Sequence, residues 1–98
     1  MKIVFFIPME NLSKVNNLIY KDDLVSRQSI TIREAKVLGF KKEGYYLEIE
    51  GSEEAIKRAE EILGDLVKKV DKNEEKEVLE KISEQENSAA EGFGVLFG

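Results

Sequence analysis

Lys2–Ile7 reads Lys-Ile-Val-Phe-Phe-Ile and stops at Pro8, the chain's one proline. A nearly unbroken β-branched and aromatic run of this length predicts a strand buried on both sides, because the alternation of a half-exposed strand is missing. Such a strand belongs at the centre of a sheet. The rest of the chain must then supply neighbouring strands and helices, and 98 residues suffice for one domain with one modest core.

From Met9 onward Leu12, Val15, Leu18 and Ile19 recur at helical spacing, which predicts an amphipathic helix to Lys21, broken by Asp22 and Asp23. Ser29–Leu38 carries Ile30, Thr31, Ile32 and Val37 and is read as a long strand. The competing reading is a short helix from Arg33, with Thr31 and Glu34 at capping-box spacing and Gly39 ending it. After Gly44, residues Tyr45, Leu47 and Ile49 alternate with Tyr46, Glu48 and Glu50, the pattern of a strand with one buried face. Lys41–Gly44 is then the hairpin turn.

Ser52 is a suitable N-cap, Glu53 and Glu54 suit the positive end of a helix dipole, and Ala55, Ile56, Ala59, Ile62 and Leu63 form a helical stripe. That helix either runs on to Lys69 or ends at Gly64, leaving Leu66–Val70 as a last strand. Glu74–Glu86 predicts a charged helix anchored only by Val78, Leu79 and Ile82. A polar spacer, Asn87–Glu91, and the apolar tail Gly92–Gly98 follow. The organisation expected is therefore an α+β domain over residues 1–70, a charged helix and spacer over 71–91, and the tail over 92–98.

The order strand, helix, strand, hairpin, strand, helix is that of ferredoxin-like (split βαβ) folds, here with an extra C-terminal helix. Pro8, Leu12, Val15, Thr31, Ile32, Gly39 and Phe40 give Lys2–Phe40 a pattern that resembles the opening of the nitrogen-regulatory PII-like family. Its members have an apolar strand, a proline, a helix with a Leu-x-x-Val core, and a Thr-Val strand ending in Gly-Phe-Gly. Lys41 stands where the second of those glycines would be. The Lys41–Gly44 turn is shorter than the family's signalling loop, and only Gly64-Asp65 remains of its glycine-rich nucleotide loop. The resemblance implies a trimeric scaffold without the nucleotide-binding parts.

The sequence has no cysteine and no histidine, which removes disulfides, thiolate zinc sites, thiol nucleophiles and the commonest general base. No metal or cofactor is expected, and no enzyme. Glu48 and Glu50 share a strand face but read as solvated surface, and no calcium-type ligand run surrounds Asp22-Asp23. A net charge of −5 opposes unspecific attraction to nucleic acid. The longest apolar run, Ile3–Pro8, falls far short of the ~20 residues of a membrane span, and no export signal precedes it, so a cytoplasmic protein is expected. Abundant Lys and Glu fit a thermophile, archaeal-type proteome.

Two sets of residues remain as candidates for function. Ser26, Arg27, Gln28 and Ser29, with Arg33 nearby, concentrate hydrogen-bond donors in a loop entering a strand, where an anion or nucleotide could bind. Phe5, Tyr45 and Tyr46 are candidates for a subunit interface on an open sheet face, together with Phe93, Val95, Leu96 and Phe97 of the tail. The tail either returns as an edge strand, docks on a neighbouring subunit or is held by another protein. The expectation is a small non-enzymatic regulatory or scaffolding protein, a dimer or trimer binding a small ligand or a protein partner. The alternative is an RNA- or nucleotide-binding module using the Ser26–Arg33 region.

Overall fold

The structure is a computed structural model that describes the backbone of residues 1–97 and the side chains of residues 1–87. Strand β1 (Lys2–Pro8) is followed by a 3₁₀ turn and helix α1 (Leu12–Lys21), then by strands β2 (Ser29–Glu34) and β3 (Gly44–Glu50). Helix α2 (Glu53–Leu63), the short strand β4 (Lys68–Lys69) and helix α3 (Lys72–Phe97) complete the chain. The four strands form one antiparallel sheet in the order β2-β3-β1-β4. As its unbroken apolar run requires, β1 lies inside the sheet, paired on one side with β3 and on the other with β4.

Period-2 geometry divides the strand residues between two cores. Phe5, Ile7, Leu47 and Ile49 face α1 and α2, meeting Val15, Ile19, Ile56, Ala59 and Leu63. Val4, Phe6 and Tyr46 face the other way, where Ala35, Leu38, Phe40, Val78 and Ile82 complete a second cluster. The open sheet face expected from the sequence is therefore corrected: α3 lies over it. Val78 and Ile82 are fully or almost fully buried there, so three apolar anchors are enough to dock the helix.

Two boundaries differ from expectation, those of β2 and α3, and a third, the end of α2, follows one of the two readings open in the sequence. Strand β2 stops at Glu34, and a helix-like turn follows in which the Glu34 carbonyl accepts from the amides of Val37 and Leu38. Gly39, at φ +94°, lets the Phe40 amide return to the Ala35 carbonyl at 3.0 Å. The strand reading thus holds as far as Glu34, the remainder is a turn rather than a helix from Arg33, and the connection is Ala35–Glu43 rather than Lys41–Gly44. Helix α2 ends at Gly64, at φ +47°, which frees Lys68–Lys69 to pair with Phe5 and Phe6. Finally, α3 continues through the segment read as spacer and tail to Phe97.

Candidate functional site

The donor-rich loop does not converge. Val25–Arg27 is a 3₁₀ turn packed against α1 and α2, whereas Arg33 stands opposite Tyr46 on the sheet face covered by α3. Arg27 and Arg33 therefore lie on different sides of the molecule. Several of the donors are engaged locally: Gln28 Nε2 donates to the Leu24 carbonyl at 2.9 Å, Ser26 Oγ to the Asp23 carbonyl at 3.4 Å, and Arg33 Nη1 to the Ile32 carbonyl at 3.0 Å. Gln28 also packs so closely on Gly51 that a Cβ there would overlap its side-chain amide. Ser29 is exposed at the start of β2.

Beside this loop Asp22 performs the structural work. Its carboxylate accepts from the Val25 amide at 3.0 Å and from Arg58 Nε of α2 at 2.9 Å. The Val25 amide, followed by the Arg58 guanidinium, holds its carboxyl below the usual range. The Asp22 break is thus a tie between the α1–β2 connection and α2.

Of the residues expected at an interface, Phe5 is 1% and Tyr46 0% exposed, so both are occupied within the protomer and neither is offered to a second subunit. Tyr45 is half-buried at the margin of the α1–α2 core. Phe93, Val95, Leu96 and Phe97 lie outside the described side chains. Of the three strand aromatics only Tyr46 lies at the seam between the sheet and α3, Phe5 and Tyr45 packing on the α1–α2 side.

At that seam Tyr46 Oη donates to Glu74 Oε2 at 2.7 Å, and Lys42 Nζ donates to the same oxygen at 2.9 Å. The Tyr46 ring packs against Phe6 (5.5 Å between centroids) and Phe40 (5.0 Å), and the Lys42 ammonium lies 5.3 Å from the Phe6 centroid. Burial opposes the charge on Glu74, but the Lys42 and Tyr46 hydrogen bonds outweigh it and hold the carboxyl below its usual value. Burial, reinforced by the Glu74 carboxylate, pushes the Tyr46 phenol upward. Sequence reasoning missed this network. The available signal was Asp71, three residues before Glu74: its Oδ1 caps the helix by accepting the Glu74 amide at 2.7 Å.

Further along the same sheet face the surface turns polar. Glu48 stands between Val4 and Thr31, and burial raises its carboxyl, opposed by the Lys2 and Arg33 charges and reinforced by Glu86 and Glu50. A group whose folded pKa is raised loses stability for the protein as pH rises through the carboxylate range. Glu48→Gln should therefore stabilise the chain at pH 7 by under about 1 kcal/mol and give no gain below pH ~4, read from urea midpoints at both pH values. Equal midpoint shifts at the two pH values would remove the electrostatic account.

No protein-family model, curated protein or solved structure matches the chain. Among the described residues no group of three or more carboxylates is placed to hold a metal ion, and no helix is long and apolar enough to cross a membrane. The features described on these surfaces are a latched helix, a polar strip, and the sheet's two edges.

Proposed function

We propose that this protein is a non-enzymatic regulatory or scaffolding domain that holds a protein partner, with the C-terminal half of α3 as its arm. The observation that carries this reading is the length of α3. At 26 residues it is ~39 Å long, whereas strands of seven residues run ~23 Å and four neighbouring strands span ~14 Å between the outer axes. The helix is longer than the sheet in either direction. Its docking residues Glu74, Val78 and Ile82 fall in its first half, and Gln85, which donates to the Val37 carbonyl, lies just past the midpoint. In the sequence Ala89, Phe93 and Leu96 recur in phase with Val78 and Ile82, the spacing of an apolar face used for helix-in-groove recognition.

The strand order β2-β3-β1-β4, with a helix after β1 and another after β3, supports reading the fold as ferredoxin-like, extended by α3. The resemblance to the PII-like family, and a cysteine-free sequence, favour an oligomeric cytoplasmic scaffold.

Ending the chain after Asn87 tests the arm. The shortened protein should melt within about 3 °C of the full chain, because the anchors that dock α3 are retained, and it should bind less of an apolar-surface dye such as ANS. A fall of ten degrees or more would assign the last residues to the domain's own core and end this reading.

A further inference from the structure

The two edges of the sheet are built differently. At one edge β4 has two residues, Lys68 and Lys69, both exposed, a short charged strand of the kind that discourages further pairing. At the other, β2 has six residues, Ser-Ile-Thr-Ile-Arg-Glu, with neither proline nor glycine. Both Ile30 and Ile32 are half-exposed at the rim of the α1–α2 core.

Hydrogen-bond parity shows which groups β2 presents outward. The Ala35 amide donates to the Gly44 carbonyl at 2.9 Å, continuing the register that pairs Ser29 with Glu50 and Glu34 with Tyr45. Bonded pairs alternate along an antiparallel ladder, so Ser29, Thr31 and Arg33 bond to β3, while the backbone groups of Ile30, Ile32 and Glu34 point away from it. The same parity holds on the far side of β3, where Met1 and Gly51 exchange bonds. The outward carbonyl of Ile32 is met by its neighbour's guanidinium, Arg33 Nη1, at 3.0 Å.

We propose that β2 is the pairing edge for a second copy of this chain: two β2 strands run antiparallel about a twofold axis through Thr31 and join two four-stranded sheets into one. The strand's self-complementarity argues for a second copy. With Thr31 on the axis, the outward-bonding residues meet, Ile30 opposite Ile32 of the other copy and the reverse. Arg33 faces the other copy's Ser29, whose neighbour on β3 is Glu50. No like charges stand opposite one another. Centring the pair on Ile32 sets Glu34 against Ile30, and centring it on Arg33 sets two guanidiniums face to face. Charge and apolar pairing thus favour a second copy in this register over either of those two. Two copies so joined carry two α3 arms, an arrangement suited to bivalent capture.

The full chain has no cysteine, so Thr31→Cys introduces a single thiol. Directly opposed residues of a non-bonded antiparallel pair have Cα atoms ~4.5 Å apart, within disulfide reach. Under mild oxidation Thr31→Cys should become a covalent dimer at least tenfold faster than Ser29→Cys, whose thiols stand opposite Arg33 rather than each other and so lie ~13 Å apart along the strands. Ile32→Pro removes an outward amide together with a half-buried side chain at the core's rim, takes no bond from the β3 ladder, and should halve the mass seen by light scattering. If the proline variant does not fold, Thr31→Lys, which sets two like charges on the axis, should halve it instead. A monomeric wild type at ~1 mM, an unchanged mass in the folded edge variants, or equal cross-linking of the two cysteine variants overturns the proposal.

Discussion

Tyr46→Ala should lower the unfolding free energy by about 3–5 kcal/mol, the range for truncating a buried aromatic ring, read from urea denaturation. The ring is fully buried between β3 and α3, with Phe6 and Phe40 against it, and its removal leaves a cavity where the helix is latched. The hydroxyl contributes separately. Tyr46→Phe keeps the ring but deletes the 2.7 Å bond to Glu74, a loss of about 1–2 kcal/mol for a charge-assisted bond whose acceptor keeps Lys42 as a second donor. Glu74→Gln should cost a similar amount, and the double variant should cost less than the sum, since both changes remove one interaction. A Tyr46→Ala cost below about 1.5 kcal/mol would mean that α3 is not docked as described.

Alkaline pH offers a second view of the same latch. Burial and the Glu74 carboxylate raise the folded pKa of Tyr46 above its ordinary value, so the folded state resists ionisation that the unfolded chain accepts. The resulting stability is present below pH ~10, the unfolded phenol's range, and declines as pH rises above it. Tyr46→Phe should lack this part of the decline. An identical alkaline profile in the two proteins would place the phenol in water.

The legible and illegible parts of this fold have different physical origins. Tyr45–Glu50 alternates strictly, so its two faces could be told apart in the sequence, and Ser52 with the Ala55, Ile56, Ala59 and Leu63 stripe marked the N-cap and the buried face of α2. The Lys2–Ile7 run announced a central strand, yet an unbroken apolar run carries no parity. Phe5 could not be assigned to a face, and it packs on α1 and α2 rather than on the side of Tyr46. The cover over the second face was hidden because α3 is charged on most of its circumference and docks through Val78, Leu79, Ile82 and one carboxylate. A narrow stripe suffices when the opposite surface is already rich in aromatic rings. The donor-rich loop misled for a related reason: proximity in sequence put Arg27 and Arg33 together, while the pleat of β2 sends Arg33 to the face opposite the helices that hold the loop.

Gly44→Ala should be about as damaging as the loss of the Tyr46 ring, at about 2–6 kcal/mol from strain and overpacking together, although it adds a single methyl group. Gly44 opens β3 at the point where the chain returns from the Ala35–Gly39 turn, paired with Pro8 across the sheet. Its φ of +150° is one that side chains rarely adopt, a strain of about 1–3 kcal/mol. Space is also lacking: a Cβ there would lie 2.6 Å from the Ile7 carbonyl oxygen and 2.5 Å from Phe6 Cζ. The Phe6 ring could rotate, but it is held against Tyr46 and under Lys42. The Ile7 carbonyl belongs to the β1 backbone and cannot yield without disturbing the β1–β3 ladder, adding about 1–3 kcal/mol for overpacking. Gly39→Ala supplies the contrast, since that turn also needs a positive φ, +94°, but a Cβ there meets nothing within 4 Å. Its cost should be about 1–2 kcal/mol, the strain alone. If both glycines cost the same in urea denaturation, the close approach of β3 to Ile7 and Phe6 is not what fixes the start of the strand.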